Sequence, residues 1–582
     1  MNIAEVLTEY AAQRGTRTAF CVNGGMSMFL NKALHDHGRI KVVYTHHEQA
    51  AVSAAEGYSK ASNFKKPGVA CVTAGPGVSN ALTGLLSAFA DSTPLLILAG
   101  QIKESDIDVF GTRTHGAQEI HSREIISPAV KAFFRITKEE FREQLFLIHE
   151  ALTTGRLGPV FVEIPLNVQP ESVKDFEELL ESVTRSSLAR SREALTESQV
   201  KRIVELIESA SRITCLVGNG IRISNGNFKT LLSALNQAFI PRFYTWLSQD
   251  LEDFDSQLNF GCPGSLAPIT ANRALQDSDL VIFLGVRADL ATTAFQRDDF
   301  GASGSRIIVD IDASELAKFG GRDRDMYINM DLADFLPQFL EIVQNLKIEQ
   351  REWATKWSDA KTAYLEMEDE KLVSDGVTAR DLAVSILGSL KTGTVVMSSS
   401  GYAAEGIARF YRGNGKVRFF HGGGLGSMGQ GLSQGIGAIT AREDENNPVW
   451  IIESDGGLWM AIHELATLKV LNAKNIVVFI MNNNGYASIY NSQVRHFDYH
   501  GGTNSEDGLF FPSWKAVAKL FNFEYIQISK DTQSIDFSQF ANTEHVTIVD
   551  IELELTEGRG PMLKTTLTPE GPRTQKIAEL DW

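Results

Sequence analysis

VWIIESDGG occupies residues 449–457 of the chain, and IVVFIMNNNGY occupies residues 476–486. Each stretch begins with an apolar run typical of a buried strand. The residues between them, 458–475, have the length and spacing of a crossover helix. Both strands end in polar residues and glycines. Because neighbouring parallel strands end at one edge of a sheet, where doubly wound folds bind ligands, the pattern predicts a ligand site at that edge.

The residues of these two loops suit a divalent cation bound together with a diphosphate. The Asp455 carboxylate, an Asn side chain and a loop carbonyl are hard oxygen ligands of the kind that Mg²⁺ binds, and the diphosphate supplies the remaining ligands. The glycines let backbone N–H groups approach the diphosphate closely. For this segment alone, the alternative is an ordinary nucleotide-fold turn that happens to carry an asparagine run.

Length, charge and cysteine usage limit the classes of protein to which this chain can belong. The chain has 582 residues, 43% of them hydrophobic, and a net charge of −17. One core rarely extends over more than about 300 residues, so we expect three or four domains. Residues 1–7 lack the features of a signal peptide, and the four cysteines are scattered, which predicts a cytoplasmic protein with reduced thiols. The acidic charge and the short apolar runs predict neither nucleic-acid nor membrane partners.

Two charged stretches, at 171–197 and 348–376, divide the chain. They predict domains at 1–172, 195–345 and 376–550, followed by a tail at 551–582. Within each domain, short β-branched runs alternate with helical segments. This alternation predicts an α/β fold with three doubly wound parallel-sheet domains. The tail is aperiodic and contains Pro and Gly, which favours a floppy end over a strap across a site.

The first domain carries a candidate catalytic carboxylate. Glu48 lies in HHEQ (46–49), between a predicted strand at 41–45 and a helix of small residues at 50–61. A second predicted strand, at 69–73, leads into the turn AGPG (74–77). A glutamate at a helix start also stabilises the helix dipole, so Glu48 alone has an ordinary structural interpretation.

Together, His-Glu-Gln, Gly-Pro-Gly and the two loops of the third domain resemble the acetolactate synthase-like family of thiamine diphosphate enzymes. Ser454 replaces the first Gly of the usual Gly-Asp-Gly, a position that contributes mainly its small size. By this resemblance, Glu48 hydrogen-bonds the aminopyrimidine ring of the cofactor and favours its imino form. The resemblance also implies that each site draws its two halves from different subunits, and hence a homodimer or homotetramer.

The resemblance extends to the glycine-rich stretch HGGGLGSMG at 421–429, which alone predicts only a flexible loop before a helix near Gln430. In the family, this loop passes under the bent cofactor. The Gly426 carbonyl accepts from the exocyclic amine, and the Met428 side chain lies between the rings. The implied metal ligands are Asp455, Asn483 and the Gly485 carbonyl. The implied residues for thiamine diphosphate are Gly401, Tyr402, Gly426, Met428, Asp455, Gly456, Gly457, Asn483, Gly485 and Tyr486.

The central domain contains TCLVGNG (214–220), DLVIFLGVR (279–287) and IIVDID (307–312). Each is a strand that ends in a glycine turn or in acidic residues. The combination resembles the flavin-binding middle domain of acetolactate synthases and implies bound FAD. The alternative is a domain of the same fold that binds ADP or nothing. The implied FAD residues are Gly218, Asn219, Gly220, Gly264, Gly285, Arg287, Asp310 and Ile311.

The branch of the family is suggested by departures from acetolactate synthases. Ser492 stands where those enzymes carry a Trp that limits the acceptor pocket. Residues 111–119 also differ from the usual active-site segment, although Gln118 is retained as a catalytic candidate. Several stretches look closer to the polysaccharide and deoxysugar branch. The resemblance predicts a carboligase that uses thiamine diphosphate and Mg²⁺. It would decarboxylate a 2-oxo acid such as pyruvate and add the two-carbon unit to an aldehyde or ketone, such as a nucleotide-linked keto-deoxysugar.

Three alternatives remain at this point. The first is ordinary acetolactate synthesis, in which a second pyruvate is the acceptor. The second is a non-catalytic subunit that binds thiamine diphosphate, which the presence of Glu48, Gly426, Met428 and Asp455 disfavours. The third is a nicotinamide dehydrogenase on the same sheets, which lacks a convincing Gly-x-Gly-x-x-Gly followed by a ribose-binding acid.

Overall fold

The computed structural model of the protein describes residues 1–186, 192–224, 226–301, 303–372, 377–532, 535–555, 563, 565–569 and 571–576. Within them the chain forms three parallel sheets covered by helices, which confirms the predicted fold class. No helix of the described ranges has both the length and the hydropathy needed to cross a bilayer. The exact domain boundaries stay predictions, and the one at 376 lies outside the described residues.

The first domain contains a six-stranded sheet of order β2-β1-β3-β4-β6-β5. Its strands are β1 (Thr18–Cys21), β2 (Lys41–Tyr44), β3 (Gly68–Val72), β4 (Leu95–Gln101), β5 (Ala132–Arg135) and β6 (Pro159–Pro165). Its helices are α1 (Ile3–Gln13), α2 (Met28–Asp36), α3 (Glu48–Ala61), α4 (Pro76–Ala90), α5 (Ser122–Ile126) and α6 (Phe141–Thr153), and α7 (Phe176–Ser186) follows in the first charged stretch. Every residue of β3, β4 and β6 is buried, because helices cover both faces of the sheet.

The central domain contains a five-stranded parallel sheet of order β11-β10-β9-β7-β8. Its strands are β7 (Ile213–Val217), β8 (Arg242–Tyr244), β9 (Leu280–Leu284), β10 (Ser305–Asp310) and β11 (Met326–Asn329). Its helices are α8 (Glu197–Ser209), α9 (Gly220–Ile223), α10 (Phe228–Gln237), α11 (Ile269–Asp277), α12 (Ala313–Ala317) and α13 (Leu332–Gln344). The strand order reverses between β7 and β9, and that switch point is the expected ligand position in such a sheet.

The third domain follows the long helix α14 (Arg351–Lys371) and has a sheet of order β13-β12-β14-β15-β17-β16, the same relative order as the first domain. Its strands are β12 (Gly393–Met397), β13 (Val417–Phe420), β14 (Val449–Ser454), β15 (Ile476–Asn482), β16 (Glu524–Ile528) and β17 (Thr547–Glu552). Its helices are α15 (Ala379–Ser389), α16 (Tyr402–Arg409), α17 (Gln430–Ala441), α18 (Asp455–Met460), α19 (Glu464–Leu471), α20 (Ala487–Phe497) and α21 (Trp514–Phe521). Short 3₁₀ turns lie at Gly25–Ser27, Glu104–Asp106, Ser127–Ala129, Gln249–Leu251 and Phe537–Ala541.

The crossover between β14 and β15 differs from the predicted single helix at 458–475. Two helices, α18 and α19, occupy this connection and are separated by a turn. The break orients Glu464, whose carboxylate accepts from the backbone N–H groups of His46 and His47 at 3.0 and 3.1 Å. The second helix therefore starts where it can contact the first domain, a requirement that local periodicity does not reveal.

The tail also differs from the floppy end favoured by its sequence. Its described part contains the antiparallel hairpin β18 (Thr565–Thr568) and β19 (Gly571–Thr574). Leu563 packs against the core of the central domain, and the Gln575 carbonyl accepts from Gln296 Nε2 at 2.8 Å. Trp582, the last residue of the tail, lies outside the described residues. Cross-strand pairing and docking, not local composition, therefore order this segment.

Helices α3 and α17 join the first and third domains through direct backbone contact. A Cβ placed on Gly57 would lie 2.0 Å from the Gln434 carbonyl oxygen, and one placed on Gly437 would lie 2.0 Å from the Ala54 carbonyl oxygen. The pairing of 57 with 434 and of 54 with 437 shows that the helices run antiparallel. Any side chain at either glycine would force the two backbones apart.

We predict that Gly57→Ala lowers the free energy of unfolding by about 1–3 kcal/mol through overpacking, and that it lowers the Tm. The matched control is Gly388→Ala, also in a helix but with no atom within 4 Å of the added Cβ. That substitution should be neutral or stabilise by up to about 1 kcal/mol. Calorimetry of both variants provides the measurement. Equal Tm values for the two variants would contradict the role assigned to the helix contact.

Candidate cofactor and active site

The loops that follow β14 and β15 meet at one edge of the third sheet. Strands β14 and β15 pair in parallel, with Ser454 opposite Met481, so the residues after them leave the sheet side by side. Asp455 Oδ2 accepts from the Gly485 N–H at 3.0 Å, and Oδ1 accepts from the Gly456 N–H at 2.7 Å. The structure therefore brings together the residues predicted to surround a metal ion.

The oxygen atoms at this edge fit a hard cation. Asp455 is fully buried, and this burial raises the pKa of its carboxyl to about 7, although N–H groups of Gly456 and Gly485 favour the charged form. Asn483 Oδ1 is buried and has no hydrogen-bond partner among the described residues. A buried acceptor without a partner is costly unless a ligand satisfies it. Mg²⁺ bound by Asp455, Asn483 and the Gly485 carbonyl would fill that need.

The glycines around the same edge leave room for a phosphate group. Gly401 precedes α16 and has a φ of +88°. Residues other than glycine rarely adopt this backbone conformation. A Cβ on Gly456 would lie 2.2 Å from the Tyr486 ring, so that ring packs directly on the backbone. Ser400 Oγ is buried and lacks a partner within the described part of the chain. These features fit a diphosphate held by the 399–402 turn and by the start of α18. Tyr402 is the first residue of α16.

The glycine-rich loop at 421–429 lies beside these turns. The Gly422 N–H donates to Ser399 Oγ at 3.2 Å, and a Cβ on Gly429 would be 3.2 Å from the Gly457 carbonyl oxygen. Gly426 has φ of +69°, and Met428 is half-buried. The predicted thiamine-binding loops of this domain therefore form one cluster at one sheet edge.

The candidate residues of the first domain form a separate cluster. Glu48 is the first residue of α3, is 8% exposed, and accepts from Asn80 Nδ2 at 3.0 Å. Its Oε1 lies 3.7 Å from the position of a Cβ on Gly77, and Gly75 packs on the Gln118 backbone. Gln118 itself is exposed and has φ of +67°. The structure thus places Glu48, Gln118 and the Gly-Pro-Gly turn together.

Within one chain, this cluster lies at the opposite end of the helices from the glycine-rich loop. Lys60 Nζ, twelve residues after Glu48 on α3, donates to the His421 carbonyl at 2.8 Å. At 1.5 Å per residue, the Cα atoms of Glu48 and Lys60 lie about 18 Å apart, and the Lys60 side chain reaches the start of the loop. Helix α4 shows a similar arrangement. Its Ser87 Oγ donates to Gln430 Oε1 at 3.3 Å, and the first turn of α4 lies beside Glu48. The ten residues from Gly77 to Ser87 correspond to about 15 Å, so the second helix also places the two clusters at opposite ends.

A cavity of ≈ 440 Å³ lies at the switch point of the central sheet and extends to the first and third domains. Most of the predicted flavin residues line it: Asn219, Gly220, Gly285, Arg287, Asp310 and Ile311. The other two, Gly218 and Gly264, do not line it. A Cβ on Gly218 would be 2.0 Å from the Gly285 carbonyl oxygen, and the Gly264 N–H donates to Asn272 Oδ1 at 2.9 Å.

Charged groups cover the wall of this cavity. Burial raises the pKa of Asp310 to about 6, and the nearby Glu315 carboxylate adds to the effect. Arg287 donates to the Ala90 carbonyl and lies 3.3 Å from Asp91 Oδ1, both in the first domain. The sequence reading missed further lining residues from all three domains, among them Asp91, Arg222, Trp246 and His421. No motif joins them, because they are brought together only by the docking of the domains.

The predicted acceptor residue, Ser492, lies on α20, which follows the metal loop. Its side chain is exposed in the single chain. Nearby apolar residues, including Ile489, Phe497 and Phe510, are also more than half exposed. A wall of an acceptor pocket at this position therefore needs a further surface to close it.

Three family models match the chain in the order of its domains. The thiamine pyrophosphate enzyme N-terminal TPP binding domain matches residues 1–125, the central domain matches 200–339, and the C-terminal TPP binding domain matches 399–551. The chain belongs to the thiamine diphosphate-dependent, acetolactate synthase-like enzyme family.

Curated relatives match along nearly the full chain. Acetolactate synthase 2, chloroplastic, of Nicotiana tabacum is 28% identical over 96% of this chain and 83% of its own length. The probable acetolactate synthase large subunit of Methanocaldococcus jannaschii is 29% identical, over 87% of this chain and 84% of its own. The acetolactate synthase large subunit of Lactococcus lactis subsp. lactis is 24% identical, over 97% and 94%.

Asp455→Asn tests the metal and diphosphate site. The substitution keeps the shape of the side chain but removes its negative charge. Because loss of residues that only support a metal ligand costs about 10–100-fold in affinity, loss of the ligand charge should weaken joint Mg²⁺ and thiamine diphosphate binding by more than about 100-fold. Calorimetric titration with both ligands measures this change.

The matched control for Asp455→Asn is Ser454→Gly, at the neighbouring position. Ser454 Oγ caps α18 by accepting from the Gly457 N–H at 3.2 Å, and replacement of a cap by glycine costs only a few tenths of a kcal/mol. We expect near-native cofactor affinity in this control. If Asp455→Asn binds as tightly as the control, the metal does not lie at this loop.

Proposed function

We propose that the protein is a Mg²⁺-dependent carboligase that decarboxylates pyruvate and adds the two-carbon unit to a ketone or aldehyde. Its acceptor in this proposal is a nucleotide-linked keto-deoxysugar. The observation that carries the proposal is the pair of complementary half-sites. One half has a buried carboxylate, Glu48, and the other has the Asp455 metal loop with its glycine cradle.

The residues have distinct roles in this proposal. Thiamine diphosphate, when bound, supplies a carbon nucleophile that adds to the carbonyl of a 2-oxo acid. Glu48 holds a proton at the aminopyrimidine ring, and its partner Asn80 fixes the direction of the carboxylate. Asp455 and Asn483 hold the metal and diphosphate, while Met428 and Gly426 fix the conformation of the cofactor. Gln118 contacts the substrate from an exposed segment.

The separation of about 18 Å between the half-sites along α3 supports a dimeric enzyme. One subunit contributes Glu48 and Gln118, and the other contributes the metal loop. The exposed apolar residues of α20 and its surroundings, such as Phe497 and Phe510, are then covered by the partner. We therefore propose a homodimer as the minimal active unit, with a homotetramer as a dimer of such dimers.

Glu48→Gln should lower the rate of pyruvate decarboxylation by about 10²–10⁴-fold, because it removes one acid–base group. Thiamine diphosphate affinity should change little, since the diphosphate is held by the other half-site. Steady-state kinetics at saturating cofactor, with a binding titration on the same sample, measures both quantities. Turnover near that of the wild type would exclude Glu48 from proton transfer.

Mixed dimers of Glu48→Gln and Asp455→Asn chains test whether the sites are shared. In a mixed dimer, one site receives both substitutions and the other receives neither. With random reassociation, activity should recover to about a quarter of the wild-type value, because half of the dimers have one intact site of two. If each chain instead held a complete site, mixing would restore no activity. Each variant refolded alone is the control.

The acceptor proposal depends on the small residue at position 492. A Trp there could cover as much as about 250 Å² of surface, so its absence leaves space for an acceptor larger than pyruvate. The relatives named above are acetolactate synthases, which favours a second pyruvate as the competing acceptor. Analysis of the products by mass spectrometry, with pyruvate alone and with keto-sugar nucleotides, distinguishes the two acceptors.

Ser492→Trp should suppress addition to bulky ketones while pyruvate decarboxylation continues. The exposed neighbour Arg495→Ala, on the same helix, serves as a control for general disturbance of α20. The ratio of bulky-ketone product to acetolactate, measured for both variants, is the informative quantity. An unchanged ratio in Ser492→Trp would mean that this position does not line the acceptor site.

We further propose that the central cavity binds FAD as a structural cofactor, because decarboxylation and addition need no electron acceptor. Its position at the switch point of the sheet and its lining by Gly220, Gly285 and Asp310 support a dinucleotide. The Asp310 carboxylate suits ribose hydroxyls, and Arg287 suits an acceptor atom of the ligand.

Arg287→Ala should weaken FAD uptake by about 10–100-fold through loss of a charged hydrogen-bond donor. Arg297→Ala, an exposed arginine of the same domain, is the matched control and should leave uptake unchanged. Quenching of flavin fluorescence on titration of the flavin-free protein measures both. A fully active protein that takes up no FAD would exclude the flavin while leaving the thiamine site in place.

A further inference from the structure

Asp250, a buried residue of the central domain, bridges two arginines from different domains. Its Oδ1 accepts from Arg222 Nη2 at 2.7 Å, and its Oδ2 accepts from Arg418 Nη1 at 2.7 Å. Oδ2 also accepts from the backbone N–H of Phe419 at 3.0 Å. Arg222 lines the central cavity, whereas Arg418 and Phe419 belong to β13 of the third domain. One carboxylate thus connects the cavity wall to this strand.

The connection continues through the first domain. Arg418 Nε donates to the Lys60 carbonyl at 3.1 Å. Lys60 Nζ in turn donates to Asp91 Oδ2 and to the His421 carbonyl, both at 2.8 Å. Asp91 Oδ1 lies 3.3 Å from Arg287 Nη1, which brings the series of contacts back to the cavity wall.

The middle of this series is the segment 418–421, the end of β13 and the residue after it. Its backbone is fixed at Phe419 by Asp250 and at His421 by Lys60. The glycine-rich loop that carries Gly426 and Met428 follows directly. Glycines impose few conformational restrictions of their own, so these two anchors, together with the Gly422–Ser399 hydrogen bond, help to set the direction in which this loop leaves the sheet.

Most ionic groups of the series are buried, and Arg287, where the series returns to the cavity, is 25% exposed. The side chains of Asp250, Arg222 and Arg418 are 2%, 7% and 11% exposed, and that of Lys60 is 1% exposed. Loss of one partner of a buried ion pair leaves an uncompensated charge. The groups therefore keep their contacts together or lose them together, as a two-state element requires.

We infer that this network, centred on the positioning residue Asp250, couples the central cavity to the glycine-rich loop, so that their ligands bind with positive cooperativity. The inference rests on the proposed function, with FAD in the cavity and Mg²⁺–thiamine diphosphate at the loop. A ligand that fixes Arg222 and Arg287 also orders residues 418–421. The second ligand then meets a loop that is already ordered and loses less conformational entropy on binding.

Linkage titrations of the wild-type protein, stripped of both cofactors, test the coupling. Saturating FAD should tighten Mg²⁺–thiamine diphosphate binding by at least about fivefold, and saturating Mg²⁺–thiamine diphosphate should tighten FAD binding by the same factor. Protein fluorescence reports the first equilibrium and flavin fluorescence the second, so enzyme activity is not the readout. If neither ligand changes the affinity for the other, the inference is overturned.

Asp250→Asn tests whether the network carries the coupling. Removal of the Asp250 charge should bring both affinity changes, that of FAD and that of Mg²⁺–thiamine diphosphate, close to a factor of 1. The matched control is Glu252→Gln, two residues away and equally buried. Glu252 binds Arg242 and Tyr244 within the central domain, at 2.8 and 2.7 Å. We expect this control to retain the wild-type factor. If each ligand still tightens binding of the other in Asp250→Asn as much as in the wild type, the network does not carry the coupling.

The design separates failure of this inference from failure of the proposed function. If FAD is taken up and thiamine diphosphate affinity does not respond, only the coupling is wrong. If no FAD is taken up, the cavity proposal and the coupling both fall, while the thiamine site stands. Should Asp250→Asn not fold, Arg418→Lys replaces it. That variant keeps the charge but lacks the second donor, which reaches the Lys60 carbonyl, and should reduce the factor to an intermediate value.

Discussion

The antiparallel contact between α3 and α17 fixes the arrangement of the two thiamine-binding domains. The two backbones touch at Gly57 and Gly437, where a Cβ on either residue would overlap a carbonyl group of the other helix. Such close approach excludes sliding and rotation, because each backbone lies in a groove that the other helix shapes. The candidate site residues lie at the ends of these helices: Glu48 begins α3, and the glycine-rich loop precedes α17. An antiparallel pair necessarily places those two starts at opposite ends.

This separation follows from a topological equivalence between the domains. The first and third sheets have the same strand order, and α3 and α17 each follow the second strand of their sheet. Equivalent helices packed antiparallel relate the two domains by an approximate twofold axis. Each domain therefore has its ligand edge pointing away from that of the other within one chain. A second copy of the chain can bring a carboxylate edge and a metal edge face to face, which is the arrangement proposed for catalysis.

The buried ionic groups at the junction of the three domains serve specificity more than stability. Arg418 of the third domain lies 2.7 Å from Asp250 of the central domain, and their side chains are 11% and 2% exposed. Desolvation of such groups offsets much of their mutual attraction, so an apolar junction of the same volume would hold the domains as well. Ion pairs, however, accept only one relative placement of the domains. A junction that must position a cavity wall and a cofactor loop together gains from that restriction.

The extent of sequence prediction depended on how local each feature is. Asp455 and Asn483 could be placed at one site because each directly follows a buried strand, and adjacent parallel strands end at the same edge. Glu48 could be placed at a helix start because it lies between a predicted strand and a run of small residues typical of a helix. The meeting of Asp91, Arg222 and His421 at the cavity wall could not, since these three residues come from three different domains and no spacing links them. The break between α18 and α19 escaped prediction because it serves a contact with His46 and His47 in another domain.

The distance between the two clusters of candidate residues could not be predicted from the sequence, although the proposed dimer depends on it. It depends on the identity of single residues in two ordinary helices. Gly57 lies in a run of small residues that indicates only a buried helix, and Gly437 lies in a similar run. Neither belongs to a cofactor motif. Yet a larger side chain at either position would separate the helices and change the angle between the domains. The motifs therefore indicate the candidate cofactor and catalytic residues, and the helix packing separates the two groups of candidates within one chain.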